Sequence, residues 1–202
     1  MNYESSLDYA QSLDREDALS SYRDRFYIPE TNGQKSVYFC GNSLGLQPKA
    51  VQETIDQELK DWANLGVHGH FQAKRPWYSY HEMLAQPLAK IVGANTEEVV
   101  AMNALTVNLH LLFVSFYRPT KERYKIICEA KAFSSDQYAM ESQVKMHGLN
   151  PDEVIIEVEP REGESCINHE DILAEIDKHQ ESLALVFIGG VNYYSGQRFD
   201  MA

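Results

Sequence analysis

The spacing of apolar residues changes near residue 97. Beyond it, short apolar runs alternate with segments in which apolar residues recur every three or four positions. The runs predict strands and the periodic segments predict helices. The predicted strands are 97–103, 124–130, 153–160 and 183–190, and the predicted helices are 106–117, 134–148 and 169–180. Since such alternation forms βαβ units, we expect an α/β fold with a mainly parallel sheet and flanking helices.

The residues before this point follow a less regular pattern. Residues 6–27 mix acidic with apolar positions and predict an amphipathic N-terminal helical arm. The turn signal Asn32-Gly33 precedes a predicted strand at 36–40. Helices are predicted at 48–64, with Pro48 in the first turn, and at 79–92. The segments between these elements are therefore expected to be loops.

Composition narrows the class of protein. The chain has 202 residues, of which 44% are hydrophobic, which is enough for a substantial core. Its net charge of -12 opposes binding to nucleic acid and to anionic membranes. The acidic first residues do not resemble a secretory signal, and no apolar stretch reaches membrane-spanning length. We therefore expect a cytoplasmic protein that has neither nucleic acid nor membrane as a partner.

The three cysteines do not suggest a metal centre or a disulfide framework. Cys40, Cys128 and Cys166 are far apart in the sequence and form no CxxC pair. We expect them to be reduced and mostly buried. His68 and His70 form an HxH pair, but no further ligands stand at a supporting spacing, so no metal is predicted.

Two loops are candidates for ligand binding, because ligands of open α/β sheets bind where strands lead into helices. The first is 103–106, where Thr106 is expected to cap the following helix. The second is 132–136, where Ser134 or Ser135 is expected to cap a helix and Phe133 could stack on an aromatic ring. Without further information, a simpler interpretation of each loop is more frequent in proteins. Thr106 would then be only a helix cap, and Phe133 would be a core residue followed by a capped helix.

Read together, six segments resemble the kynureninase family along essentially the whole chain. The segments are YFCGNSLGLQP at 38–48, GHFQAKRPW at 69–77, MNALTVNLHLL at 102–112, YKIICEAKAFSSDQYAMESQ at 124–143, EPREGE at 159–164 and GVNYYSGQ at 190–197. Their order and spacing match the first half of that family's proteins. MNALTVNLHLL, GNSLGLQP and the KRPW segment are the most distinctive of them.

The resemblance implies fold type I of the pyridoxal-phosphate enzymes and a homodimer with active sites at the subunit interface. It implies hydrolysis of L-kynurenine or 3-hydroxykynurenine to alanine plus anthranilate or 3-hydroxyanthranilate, in tryptophan catabolism and NAD biosynthesis. Residues 1–95 would form an N-terminal arm and a helical segment with substrate-side loops. Residues 96–202 would form the first half of the large pyridoxal-phosphate-binding domain, with a sheet that is incomplete at its C-terminal end.

Site residues carry over by matching position. The resemblance implies that Leu105 and Thr106 hold the phosphate of pyridoxal 5'-phosphate. It implies that Phe133 lies against the pyridine ring, with Ser134, Ser135 and Asp136 alongside, and that Ser43 and His70 border the substrate. The family usually has proline at the position of Ser134, a mild change at a helix start.

No catalytic residue is predicted within the chain. In the family, the Schiff-base lysine and the carboxylate that pairs with the cofactor nitrogen follow the GVNYYSGQ segment, whereas this sequence ends at Ala202. Lys74, Lys125 and Lys131 lie in segments that match the family elsewhere and cannot take that role. We therefore expect a fragment that is inactive alone.

Two alternatives stay open. One is a non-catalytic short form that pairs with full-length subunits through the family's dimer surface. The other is an unrelated α/β nucleotide-binding module, which the absence of GxGxxG and GxxxxGK motifs disfavours.

Overall fold

The computed structural model describes residues 3–201 and divides into two compact units, Met1–Val100 and Ala101–Ala202. The helices of the first unit are α1 (Leu7–Glu16), α2 (Val51–Leu65), α3 (Gly69–Gln72) and α4 (Glu82–Val92). Those of the second unit are α5 (Leu105–Phe116), α6 (Ser134–Met146), α7 (Pro151–Val154) and α8 (His169–His179). Within residues 3–201, no helix combines the length and the apolar character needed to cross a membrane.

A short hairpin forms at the predicted turn of the first unit. Strands β1 (Glu30–Thr31) and β2 (Gln34–Lys35) pair antiparallel. Asn32 and Gly33 both have positive φ angles, 54° and 76°, which suits a two-residue hairpin turn. The strand predicted at 36–40 is wrong, because this segment pairs with no strand among residues 3–201 and exposes Val37 and Phe39.

In the first unit, the helices match their predicted positions better than the strands do. The arm forms α1 and a 3-10 helix at Ser20–Arg25, and α4 accommodates Pro87 as expected. Helix α2 begins at Val51, after Pro48 rather than at it. The strand predicted at 97–103 is also wrong, since a 3-10 helix forms at Thr96–Glu98 and residues 99–103 belong to none of the strands in the described part of the chain.

The sheet of the second unit is parallel, as predicted. Its strands are β3 (Lys125–Glu129), β4 (Ile155–Val158) and β5 (Leu183–Phe187), and their order is β4-β3-β5. The central strand β3 pairs in parallel with both neighbours. Its apolar run is buried on both faces, as is typical of parallel sheets covered by helices.

Helices cover the two faces of this sheet through separate cores. Successive residues of a strand point to opposite faces. Ile126 and Cys128 therefore pack with Leu109 and Phe113 of α5 and with Met140 of α6. Ile127 belongs to the other core, which consists of Ile127, Val158, Ile167, Ile172 of α8 and Phe199. This unit is thus an α/β layer structure with helices on both sides.

The cysteines only partly follow the prediction. Cys128 is buried within β3, whereas Cys40 and Cys166 are exposed, so the expectation of mostly buried thiols is wrong. Burial raises the pKa of the Cys128 thiol to about 12, and the nearby carboxylates of Glu157 and Glu129 add to the increase. The thiol is therefore protonated at neutral pH and a poor nucleophile.

Candidate functional site

The two candidate loops of the second unit point to the same edge of the sheet. Helices α5 and α6 run in the same direction, because His110 in the middle of α5 contacts Gln143 in the C-terminal half of α6, and Tyr117 and His147, which directly follow the two helices, contact each other. Helix α6 begins directly after β3, so its first turn lies at the carboxyl edge of the sheet. The first turn of α5 therefore faces that edge too, where ligands of such sheets bind.

The first turn of α5 offers uncapped backbone donors. The helix begins at Leu105, so Ala104 is the cap residue and makes no side-chain bond, and the expectation that Thr106 caps the helix is wrong. Thr106 instead lies in the first turn and is partly buried, while Leu105 is exposed. The side-chain amide of Asn108 donates to the backbone carbonyl of Asn103 (2.9 Å) and holds the preceding loop. With no acidic residue in this turn, the free N–H groups and the Thr106 hydroxyl fit an anion.

The loop after β3 presents an aromatic ring beside polar groups. Phe133 is the residue before α6 and its carbonyl accepts hydrogen bonds from the first-turn N–H groups, so neither Ser134 nor Ser135 is the cap that was predicted. The Phe133 ring is 50% exposed and meets the Tyr193 ring edge to face, with 5.1 Å between centroids. The Ser135 hydroxyl donates to the Asp136 carboxylate (3.2 Å). A half-exposed ring with hydroxyls alongside fits a planar heteroaromatic ligand.

A buried polar pair holds the loop that supplies Tyr193. The side-chain amide of Asn192 donates to Glu129 at the end of β3 (2.9 Å), and both side chains are buried. The side-chain oxygen Oδ1 of Asn192 accepts from the backbone N–H groups of Tyr194 (3.0 Å) and Ser195 (2.9 Å) and from the Ser195 hydroxyl (3.1 Å). A buried carboxylate requires such a donor, and the pair therefore fixes residues 192–195 against the sheet edge.

A cavity of about 430 Å³ adjoins this loop. Lys131, Glu164, Tyr193 and Tyr194 are among the residues that line it. The Gln197 side chain braces one wall, since it accepts from the Ile167 N–H (2.8 Å) and donates to the Ile167 carbonyl (2.6 Å). The segments 159–164 and 190–197 thus meet at the carboxyl edge of the sheet.

The segment 159–164 is fixed to α8 by an ion pair. The Arg161 guanidinium donates two hydrogen bonds of 2.8 Å to the Asp171 carboxylate. These bonds lower the pKa of the Asp171 carboxyl, although burial acts in the opposite direction. The pair is exposed, so we assign it an orienting role and only a small effect on stability.

The predicted substrate residues both lie in the first unit. Ser43 lies in a turn in which its N–H donates to the Cys40 carbonyl (2.9 Å). His70 lies in α3, and its ring meets the Trp77 ring edge to face with 5.5 Å between centroids. No hydrogen bond or ring contact joins Ser43 to His70 within the part of the chain that the structure describes. Their role at a substrate stays a prediction.

Sequence reasoning missed the residues that support these sites. Glu129, Asn192 and Tyr193 received no role, and neither did Trp77. One signal was present for Glu129, an acidic residue inside the apolar run YKIICEA, since a charge there requires a buried partner. Across residues 3–201, no group of three or more His, Cys, Asp or Glu side chains could hold a metal ion.

Comparison with known proteins gives consistent matches. The chain is 56% identical over 201 residues to the kynureninase of Christiangramia forsetii, covering 100% of the chain and 47% of that protein. It is 53% identical over 201 residues to the kynureninase of Myxococcus xanthus, covering 99% and 47%. It is 47% identical over 204 residues to the kynureninase of Homo sapiens, covering 95% and 44%. A scan against protein-family models finds no match.

The matches cover nearly all of this chain but only the amino-terminal part of each relative. The chain spans about half the length of the curated relatives it matches, while almost every residue of the chain is covered. Identities of 45–56% extend across bacterial and animal relatives. The chain belongs to the kynureninase family and matches the amino-terminal part of its members.

Proposed function

We propose that this chain supplies the cofactor-phosphate and ring-contact loops, together with part of the substrate site, of a kynureninase with fold type I. The reaction would be the hydrolysis of L-kynurenine or 3-hydroxykynurenine to L-alanine plus anthranilate or 3-hydroxyanthranilate. The observation that carries the proposal is the match of the whole chain to kynureninases at 45–56% identity. The family resemblance also supports a cytoplasmic homodimer, with kynurenine as the small-molecule partner.

The residues at the sheet edge fit pyridoxal 5'-phosphate. The backbone at Leu105 and the hydroxyl of Thr106 would hold the phosphate, because the first turn of α5 has uncapped N–H groups and no acidic residue. The half-exposed ring of Phe133 would lie against the pyridine ring. Ser134, Ser135 and Asp136 would lie alongside it, in the first turn of α6. When bound, the cofactor supplies the ring that accepts the electron pair released at the substrate's α-carbon.

The residues of the first unit would act on the substrate. Ser43 would hydrogen-bond it, and His70 would orient the aryl ketone that is to be hydrolysed. The lysine that holds the cofactor is expected after the GVNYYSGQ segment in this family. We therefore propose that residues 1–202 bind and orient groups but perform no turnover alone.

A fusion protein tests this proposal. In it, residues 1–202 replace the matching amino-terminal part of the Christiangramia forsetii kynureninase, to which they are 56% identical. With pyridoxal phosphate and kynurenine, we expect the fusion protein to release fluorescent anthranilate and residues 1–202 alone to release none. The unaltered bacterial enzyme is the positive control.

Two outcomes would contradict the proposal. A folded fusion protein that binds the cofactor without releasing product would show that this chain does not complete a kynureninase site. Product from residues 1–202 alone would show that the required lysine lies within them. A complex of residues 1–202 with full-length subunits that lowers their activity would instead favour the non-catalytic short form.

The phosphate assignment has a test of its own in the fusion protein. Thr106→Ala removes a hydroxyl donor from the first turn of α5, and we expect about tenfold weaker binding of pyridoxal phosphate, since a hydrogen bond to a charged group contributes about 1.5–3 kcal/mol. Ser115→Ala, in the last turn of the same helix, is the matched control, because its hydroxyl donates to the Leu111 carbonyl. Equal affinities of the two variants, measured from cofactor absorbance, would refute the assignment.

A further inference from the structure

The segment 69–78, which carries His70, folds back on itself. The Tyr78 N–H donates to the His70 carbonyl (3.0 Å), and the Trp77 N–H donates to the Gly69 carbonyl (3.5 Å). The Trp77 ring covers Gly69 so closely that a β-carbon at Gly69 would lie 2.4 Å from the ring. The backbone of His70 is thus in contact with Tyr78 and its ring is in contact with Trp77.

Helix α2 holds the second half of this segment at three points. The Glu58 carboxylate accepts from the Trp77 indole N–H (3.0 Å) and from Arg75 Nε (2.7 Å). The Arg75 guanidinium also donates to the Thr54 carbonyl (3.1 Å). The buried Asp61 carboxylate accepts from the Lys74 backbone N–H (3.0 Å). Residues 54, 58 and 61 have the spacing of one helix face, so the segment lies along that face.

Glu58 is the residue of these three that contacts the Trp77 ring. It is the acceptor for the only polar atom of the Trp77 ring, and that ring is perpendicular to the His70 ring, with an angle of 88° between planes. An exposed histidine without such a neighbour would sample several rotamers. Trp77 therefore restricts the directions in which the His70 imidazole can point, and Glu58 restricts Trp77.

We propose that Glu58 is a positioning residue, which acts through Trp77 to orient the His70 imidazole toward the aryl ketone of kynurenine. The proposal rests on the proposed function. The Asp61 contact fixes the backbone of the segment, whereas Glu58 holds the Arg75 side chain with one carboxylate oxygen and the indole ring with the other. Loss of Glu58 should therefore lower kcat/KM for kynurenine without changing the affinity for the cofactor.

The test compares three variants of the fusion protein. In Glu58→Ala, we expect kcat/KM for kynurenine to fall about tenfold, since a small misplacement of an orienting group can cost up to two orders of magnitude. Glu58→Gln keeps an amide oxygen for the Trp77 N–H and should retain most of the activity. Glu53→Ala removes an exposed carboxylate from the first turn of the same helix and should have no effect. The cofactor affinity of all three should match that of the unsubstituted fusion protein.

The result that would overturn the proposal is a Glu58→Ala variant that melts at a lower temperature but keeps kcat and KM. Equal losses in Glu58→Ala and Glu58→Gln would also overturn it, because the ring contact would then not be the cause. An inactive unsubstituted fusion protein would refute the proposed function instead. In that case NMR of the 202-residue chain tests whether Glu58 positions His70. We expect Glu58→Ala to shift the His70 ring-proton resonances and Glu53→Ala to leave them unchanged. Unchanged resonances in Glu58→Ala would overturn the positioning role.

Discussion

Replacing Met140 by alanine is expected to lower the free energy of unfolding of the second unit by about 2–5 kcal/mol, the usual cost of truncating a buried methionine. The Met140 side chain is completely buried in the core between the sheet and α6, where Leu109, Phe113 and Ile126 belong to the same cluster. The cost includes the lost transfer free energy and the cavity that neighbours cannot fill, because protein interiors are tightly packed. Urea titration followed by far-UV circular dichroism measures the change.

Met146→Ala is the matched control for this prediction. Met146 ends the same helix and is 60% exposed. Its truncation should change the free energy of unfolding by less than about 0.5 kcal/mol, as surface substitutions usually do. Similar losses for the two variants would contradict the description of the core, since Met140 would then not contribute more packing than a surface side chain.

Replacing Asn192 by alanine is expected to destabilise the second unit by about 3 kcal/mol, because a buried carboxylate then loses its donor. The Glu129 carboxylate at the end of β3 would lose the hydrogen bond from the Asn192 side-chain amide. The backbone N–H groups of Tyr194 and Ser195 would lose their acceptor at the same time. Tyr193 would lose its support beside Phe133, so cofactor affinity of the fusion protein should also fall.

A double variant tests whether the buried Glu129 carboxylate causes this loss of stability. Glu129→Gln removes the charge that requires the donor, so the Glu129→Gln/Asn192→Ala pair should lose less stability than the sum of the two single variants. Ser195→Ala removes the hydroxyl of an exposed residue, which donates to Asn192 and accepts from the Gln197 N–H, and should have a much smaller effect because it leaves the bond between Asn192 and Glu129 in place. Strict additivity of the two single variants, measured by urea unfolding, would refute the role of the buried charge.

The parallel sheet could be predicted because each of its strands is a short apolar run followed or preceded by a helical segment. The strand at 36–40 could not be excluded in this way, since alternation is only a local signal and a strand also needs a partner. Val37 and Phe39 are 81% and 88% exposed, and no strand pairs with them in the described residues. Pairing partners lie far apart in sequence, so no local pattern reveals their absence.

The strand predicted at 97–103 failed for a reason that the sequence did contain. Asn95 and Glu98 form a capping box, in which the Asn95 N–H donates to the Glu98 carboxylate (2.8 Å). This N-x-x-E spacing initiates a helical turn and competes with the apolar run that follows it. The local hydrogen bonds prevailed over the apolar pattern.

The positions of the candidate loops could be predicted, but the roles of their hydroxyls could not. The cap of α5 lies two residues before the expected Thr106 and that of α6 lies one residue before Ser134, so Ala104 and Phe133 take the cap positions. A shift of one or two residues thus moves Thr106 and Ser134 from capping their own helix into its first turn. Helix boundaries are uncertain by a residue or two in general, whereas the direction of the helices at a sheet edge follows from topology.

The contact of Trp77 with Gly69 has a consequence for how this segment can evolve. A β-carbon at position 69 would lie 2.4–2.8 Å from three atoms of the indole, so any larger residue there requires a smaller or displaced ring at position 77. Position 69 cannot accept a side chain while position 77 keeps its tryptophan in this place. Among homologues of this chain, a residue other than glycine at position 69 should therefore occur only together with a residue smaller than tryptophan at position 77.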